Sequence, residues 1–207
     1  MRNFLVQNTF QAACLMLMSC LLILKEAAAL KTPQERLHEF TSRNHSFSFQ
    51  YSYPLVLCEK DGASCRGYVP PCDLGEESGT ILACLIYRSK TYSKYNFRGA
   101  TVSFGVLPDA KNETDCFNMP GTQTGIKRIN GIMFQSSEDT DHAAGTYVDH
   151  YYYRTFNDQC YAADLDIAIV NFGNLEPGKV KRFGSLDEEK VHRKLRQVLD
   201  TLVIYHR

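Results

Sequence analysis

Hydrophobic and polar positions alternate with a period of two along much of this chain, the mark of half-buried strands. From Ser46 to Tyr53, Phe47, Phe49, Tyr51 and Tyr53 share one face, Ser46, Ser48, Gln50 and Ser52 share the other, and Pro54 ends the run. Short apolar runs bounded by turn residues predict strands over Thr80–Tyr87 (TILACLIY) and Ala100–Leu107 (ATVSFGVL). Asn130-Gly131 lies between GIKRI and IMFQS. The favoured two-residue turn needs positive φ at both central positions, so this dipeptide predicts an antiparallel hairpin. A second hairpin is expected from Gly145–Phe156 and Cys160–Phe172, joined through Asn157-Asp158. In its second strand Tyr161, Ala163, Leu165, Ile167 and Ile169 form the core side. Its first strand fits two registers one residue apart, with either Tyr147, Tyr151 and Tyr153 or Val148, Tyr152 and Phe156 facing inward.

Two segments read as helical instead. In Thr32–Phe40 (TPQERLHEF), a threonine at the N-cap, proline at the first helical position and Glu35 at the capping-box position predict a short N-terminal helix. Ser185 followed by Glu188 forms a second capping-box pattern, after which Val191, Leu195, Val198, Leu199 and Leu202 recur at helical spacing. That stripe predicts a C-terminal amphipathic helix laid on the sheet. The stretch from Cys58 to Gly79 is rich in Gly, Pro, Cys and charge without a period, which predicts a stapled surface loop. The fold class implied is α+β: a single domain with a mainly antiparallel sheet, a short N-terminal helix and a C-terminal helix packed on it.

The beginning of the chain changes the picture of where the protein works. Arg2 precedes an apolar run over Ala12–Leu24, followed by Lys25, Glu26 and Ala27-Ala28-Ala29. This is the order of a signal peptide, and its apolar run of 13 residues falls short of the roughly 20 a membrane-spanning helix needs. Residues 1–29 are thus expected to be removed after Ala29, leaving residues 30–207 as one secreted or periplasmic domain with no stable membrane span. An uncleaved anchor is the alternative. A lipoprotein box ending at Cys20 is a further one, which Met18 fits poorly.

The mature chain would have 178 residues carrying 21 basic and 22 acidic side chains. Such a balance supplies no long-range attraction for polyanions, so nucleic acid is not expected as a partner. Six cysteines remain after Cys14 and Cys20 leave: Cys58, Cys65, Cys72, Cys84, Cys116 and Cys160. An even number in an exported chain predicts disulfides, while the absence of any CxxC pair argues against a common structural zinc site. The pairing expected is Cys116 with Cys160, Cys58 with Cys84, and Cys65 with Cys72.

The aromatic strand ending in proline (FSFQYSYP), the meander after it and the closing helix resemble the α/β/α sandwich of the PsbP-like proteins. The segment YRTFNDQCYAADLDIA is similar to one in uncharacterised exported bacterial proteins. The resemblance covers most of the mature chain, implies a layered fold of that kind and carries over no functional residue.

Candidate chemistry gathers around the acidic and histidine segment at 138–150. Glu138, Asp139, Asp141 and His142, with Asp149 and His150 on the next strand, offer oxygen and nitrogen donors for a divalent cation. The metal set would be Asp139, Asp141, His142 and His150. A solvated hairpin loop gives the same pattern more often. His150 and Arg154 share a strand face and need partners if that face is buried. Tyr147, Tyr151, Tyr152, Tyr153 and Tyr161 would supply an aromatic recognition surface or simply fill the sheet. There is no GxSxG elbow, GxGxxG or GxxxxGK[ST], so serine-hydrolase and nucleotide chemistry have no motif, and no cofactor is expected. Asn44 and Asn112 open N-glycosylation sequons. The function expected is a non-enzymatic exported module binding a protein or small-molecule partner; the alternative is a metal-binding protein or metal-assisted enzyme using the 138–150 segment.

Overall fold

In a computed structural model the described residues are 36–43, 46–58, 65, 67–75, 79–88, 90–176 and 178–205. Their strands are β1 (Leu37–Thr41), β2 (Phe47–Ser52), β3 (Leu55–Leu57), β4 (Thr80–Tyr87), β5 (Phe97–Leu107), β6 (Thr122–Ile129), β7 (Ile132–Ala143), β8 (Thr146–Asn157), β9 (Gln159–Val170) and β10 (Val203–Ile204). The α-helices are α1 (Glu113–Cys116) and α2 (Ser185–Leu199). A seven-stranded sheet runs in the order β3-β4-β5-β9-β8-β7-β6, and a three-stranded one in the order β1-β2-β10. All their pairings are antiparallel. The architecture is the α+β class that the alternation predicts.

The residues from Leu37 to Phe40 correct one expectation. They form β1, paired with β2 through Phe40 opposite Phe49, instead of ending a helix. Phe40 stacks on Phe49 at 5.0 Å, and joining that aromatic cluster outweighs the local helix signal. Residues 32–35, where that helix was to begin, lie outside the described residues, as does Asn44.

One side of the large sheet carries the main apolar core. Val102, Phe104, Ala163, Leu165, Ile167 and Tyr153 pack there against Val191, Leu195, Val198 and Leu199 of α2 and against Phe47 and Phe49 of β2. Phe49 stacks on Phe104 at 4.6 Å. Burying each such side chain contributes roughly 1.5–3 kcal/mol. The helix starts differently from the capping-box reading: its N-cap is Gly184, with no side-chain cap, and the Asp187 and Glu188 amides donate to the Gly184 carbonyl. Asp187 and Glu188 still favour the first turn through the helix dipole.

The β6–β7 turn falls on Asn130-Gly131, with φ of 46° and 85°, and Asn130 Nδ2 donates to the Leu202 carbonyl at 3.0 Å. The stretch Glu138–His142 is strand throughout. Strand β7 runs on to Ala143, and the turn into β8 is Ala144-Gly145. The two registers open for β8 resolve in favour of both faces being covered. Tyr151 and Tyr153 lie opposite Leu165 and Ala163 on the helix side, while Tyr152 and Phe156 lie opposite Asp164 and Cys160 on the other.

That other side is roofed by residues 68–75 of the stapled segment. Gly99 is one mark of the close approach: a Cβ there would stand 2.1 Å from the Val69 carbonyl oxygen, so only glycine lets the segment down onto β5. The disulfides are Cys58–Cys65, Cys72–Cys84 and Cys116–Cys160. The last is as expected and seals a second apolar cluster with Leu74, Leu107 and Ala162. The other two correct the expected pairing. Cys58 and Cys84 are indeed strand neighbours, with the Cys58 amide bonded to the Cys84 carbonyl at 2.8 Å, yet each sulfur closes onto the loop instead.

Candidate functional site

Under the stapled segment, the face of the sheet opposite α2 is polar and buried. Strand pairing builds it as two rows. Thr101, Asp166, His150 and Asp139 lie side by side across β5, β9, β8 and β7; Ser103, Asp164, Tyr152 and Ser137 form the next row. Thr101, Ser103, Asp164, Asp166 and Ser137 are all buried. A period-two strand places Asp164 and Asp166 together because they are two residues apart, with Ala163, Leu165 and Ile167 directed into the apolar core.

Arg154 is fully buried and anchors this face. Its guanidinium meets both oxygens of Asp164, with Nη1 against Oδ1 and Nη2 at 3.2 Å from Oδ2. Nη2 also donates to the Leu74 carbonyl at 2.7 Å and Nη1 to the Tyr153 carbonyl at 3.1 Å, while the group lies over the Tyr152 ring. A single side chain thus joins β8, β9 and the stapled segment. Burial holds the Asp164 carboxyl above the usual carboxylate range, with Arg154 opposing that rise.

His150 leads the neighbouring row. Its Nδ1 lies 2.7 Å from Asp166 Oδ1, and Thr101 Oγ1 donates to Asp166 Oδ2 at 3.2 Å. The ring stacks parallel to Tyr152, and Nε2 lies 3.5 Å from Asp141 Oδ2, whose carboxylate is largely in water. Burial acts against the charged imidazole, but the hydrogen bond and charge of Asp166, with Asp141 and Asp73, outweigh it and raise the His150 pKa. Burial raises Asp166 as well. This pair has the form of an oriented base. Its Nε2 is buried with no hydrogen-bond partner, so among the described residues no hydroxyl or thiol stands where a nucleophile would.

The four residues expected to hold a metal divide between two faces. Asp139, Asp141 and His150 lie on the stapled side, Asp139 opposite His150. His142 turns to the other side, edge-on to Tyr147 at 4.6 Å. The tyrosines are likewise divided, and Tyr152, Tyr153 and Tyr161 are buried within the fold. Among the described residues the donors that do converge are the sulfurs of Cys58, Cys72 and Cys84, within 4.8 Å of one another. Sequence reasoning missed Thr101, Asp73, Asp164 and Asp166. The signal for the last two was present in AADLDIA, where carboxylates alternate with apolar residues inside an otherwise apolar strand.

An open depression of about 580 Å³ lies elsewhere, beside α1, lined by residues including Leu107, Asp109, Thr114, Phe117 and Gln123. None of the His150 and Arg154 rows borders it. Asn112, the described sequon, is exposed there and caps α1 by accepting from the Asp115 amide at 3.0 Å.

No protein-family model matches this chain, and no curated protein matches it. Solved structures similar to it include a protein of Bacteroides thetaiotaomicron, with a TM-score of 0.44 and 11% identity over 82% of this chain and 48% of the other. This chain thus spans about half the length of that protein. They also include the solution structure of cyanobacterial PsbP (CyanoP) from Synechocystis, with a TM-score of 0.35 and 11% identity over 84% of this chain and 96% of the other.

Proposed function

We propose that this chain is an exported module that binds a protein or small-molecule partner without turning it over, and that the stapled segment 58–79 is its recognition surface. The observation that carries the reading is Arg154, which ties the Leu74 carbonyl of that segment to Asp164 in the middle of the sheet. A segment held in place before binding loses little freedom on binding. Export is supported by three disulfides, which persist in oxidising compartments, and by the signal-peptide order of residues 1–29. Among the described residues no helix is long and apolar enough to cross a membrane.

The test is the mass of the protein purified from its own host, first native and then denatured. The reading expects an N-terminus at Leu30 and a native species heavier by a protein or organic molecule, which Pro71→Arg on the exposed segment removes. A turnover activity abolished by Asp141→Asn or His150→Gln in a folded protein would overturn it.

A second reading, a divalent-cation site, is favoured by His150 Nε2, buried without a hydrogen-bond partner and 3.5 Å from Asp141 Oδ2, with Asp139 on the same face. Calorimetric titration with Mn²⁺ or Zn²⁺ decides it. Stoichiometric binding lost in Asp141→Asn supports a cation there; absence of heat at millimolar metal rejects it.

A further inference from the structure

The segment 58–79 is closed by two disulfides that touch. Cys58 Sγ lies 3.8 Å from Cys72 Sγ, although the two belong to different bridges. The four sulfurs therefore run as one chain, Cys65 bonded to Cys58, Cys58 against Cys72, and Cys72 bonded to Cys84, with Cys65 joined to the convergent three through its bond to Cys58. Zinc–thiolate bonds of about 2.3 Å directed to the corners of a tetrahedron place neighbouring sulfurs about 3.8 Å apart. The Cys58–Cys72 pair already has that spacing, and the sulfurs of Cys58, Cys72 and Cys84 all lie within 4.8 Å of one another.

The gathering does not depend on the disulfides alone. Cys58 directly follows β3 and Cys84 lies within β4; Leu57 pairs with Leu85, and the Cys58 amide donates to the Cys84 carbonyl at 2.8 Å. Two of the four positions are thus fixed by backbone pairing. Arg154 holds the segment at Leu74, two residues beyond Cys72. Ser103, fully buried on β5, directs its hydroxyl to Cys84 Sγ at 3.9 Å, a donor suited to a thiolate. The cysteine spacing along the chain gives no sign of this, because the cluster is assembled across strands.

We infer that Cys58, Cys65, Cys72 and Cys84 form a redox-gated site for a soft tetrahedral cation, zinc in the first place, which replaces two disulfides with one metal clasp. Two equivalents of a dithiol reductant deliver four electrons and four protons, opening both bridges to four thiols and leaving two oxidised dithiols. One Zn²⁺ then binds as the four thiol protons depart to solvent. In either state the segment stays closed on the sheet. The inference concerns only the sulfurs and stands whether or not the segment is a recognition surface.

The experiment uses the mature protein, reduced with a phosphine under anaerobic conditions and titrated with Cd²⁺ and then Zn²⁺. Thiolate-to-cadmium absorption reads the binding, and circular dichroism reads the fold. One cation per chain is expected, with the folded spectrum retained or restored at the equivalence point. Cys58→Ser and Cys84→Ser should each weaken binding by more than the roughly 10- to 100-fold that loss of an outer partner costs. The pair Cys116→Ser/Cys160→Ser should leave stoichiometry unchanged. Absence of the absorption band, or a band that survives when all four cluster cysteines are serine, overturns the inference. So does a reduced chain that unfolds and does not refold on adding metal.

Discussion

The centre of the seven-stranded sheet, over β5, β9 and β8, is buried on both faces, by different physics. On the helix side, Leu165, Ile167, Phe104 and Leu195 are packed by apolar burial, which has no preferred direction and responds in proportion to the area removed. On the stapled side, Arg154, Asp164, Asp166 and His150 are held by directed bonds whose members each depend on the other. The first face tolerates approximate solutions. The second leaves a buried charge stranded whenever one partner is lost, and it is the face on which the stapled segment rests.

The contrast is broken most directly at Arg154. Arg154→Met should destabilise the fold by about 3–5 kcal/mol because Asp164 stays buried without its partner, and the double change with Asp164→Leu should recover most of that loss. Urea denaturation checks both. Leu195→Ala on the opposite face should cost about 3 kcal/mol through lost burial and the cavity left behind, with no rescuing partner elsewhere. A smaller effect, and one that depends on pH, is expected at His150. Its raised folded pKa means that its pairing stabilises the fold fully below the unfolded value of about 6.5 and is lost as pH rises through the folded value. The stability gap between the protein and His150→Gln should therefore narrow with rising pH across that window, and denaturation melts at several pH values would show it. The smallest effect belongs to the β6–β7 turn, where Gly131→Ala, at φ of 85°, should cost about 1 kcal/mol in thermal melts.

The helix-side face was legible in the sequence because its partners follow fixed periods. The stripe from Val191 to Leu199 and the alternation from Tyr161 to Ile169 each identify a buried side without knowledge of the other. Thr80–Tyr87 and the Asn130-Gly131 turn were legible for similarly local reasons. The stapled face was hidden because polar residues at period two read as a solvent side. Nothing local announces that a disulfide segment will cover Asp164 and Asp166. The same cause left the β8 register open, since Tyr153 and Tyr152 are both buried, on opposite faces. Residues Leu37–Phe40 were read as helix because capping patterns are local and the pairing with β2 is not. His142 was grouped with Asp141 by proximity in sequence, and one step along a strand reverses the face.

The Arg154–Asp164 pair fastens the stapled segment to the sheet at Leu74, and hydrogen exchange tests that fastening most directly. In the double variant Arg154→Met/Asp164→Leu, whose global stability should be nearly restored, amides of residues 67–75 should exchange markedly faster than in the parent while those of α2 and β9 stay protected. Unchanged protection across 67–75 would contradict the account, since the segment would then be held by its disulfides and packing alone.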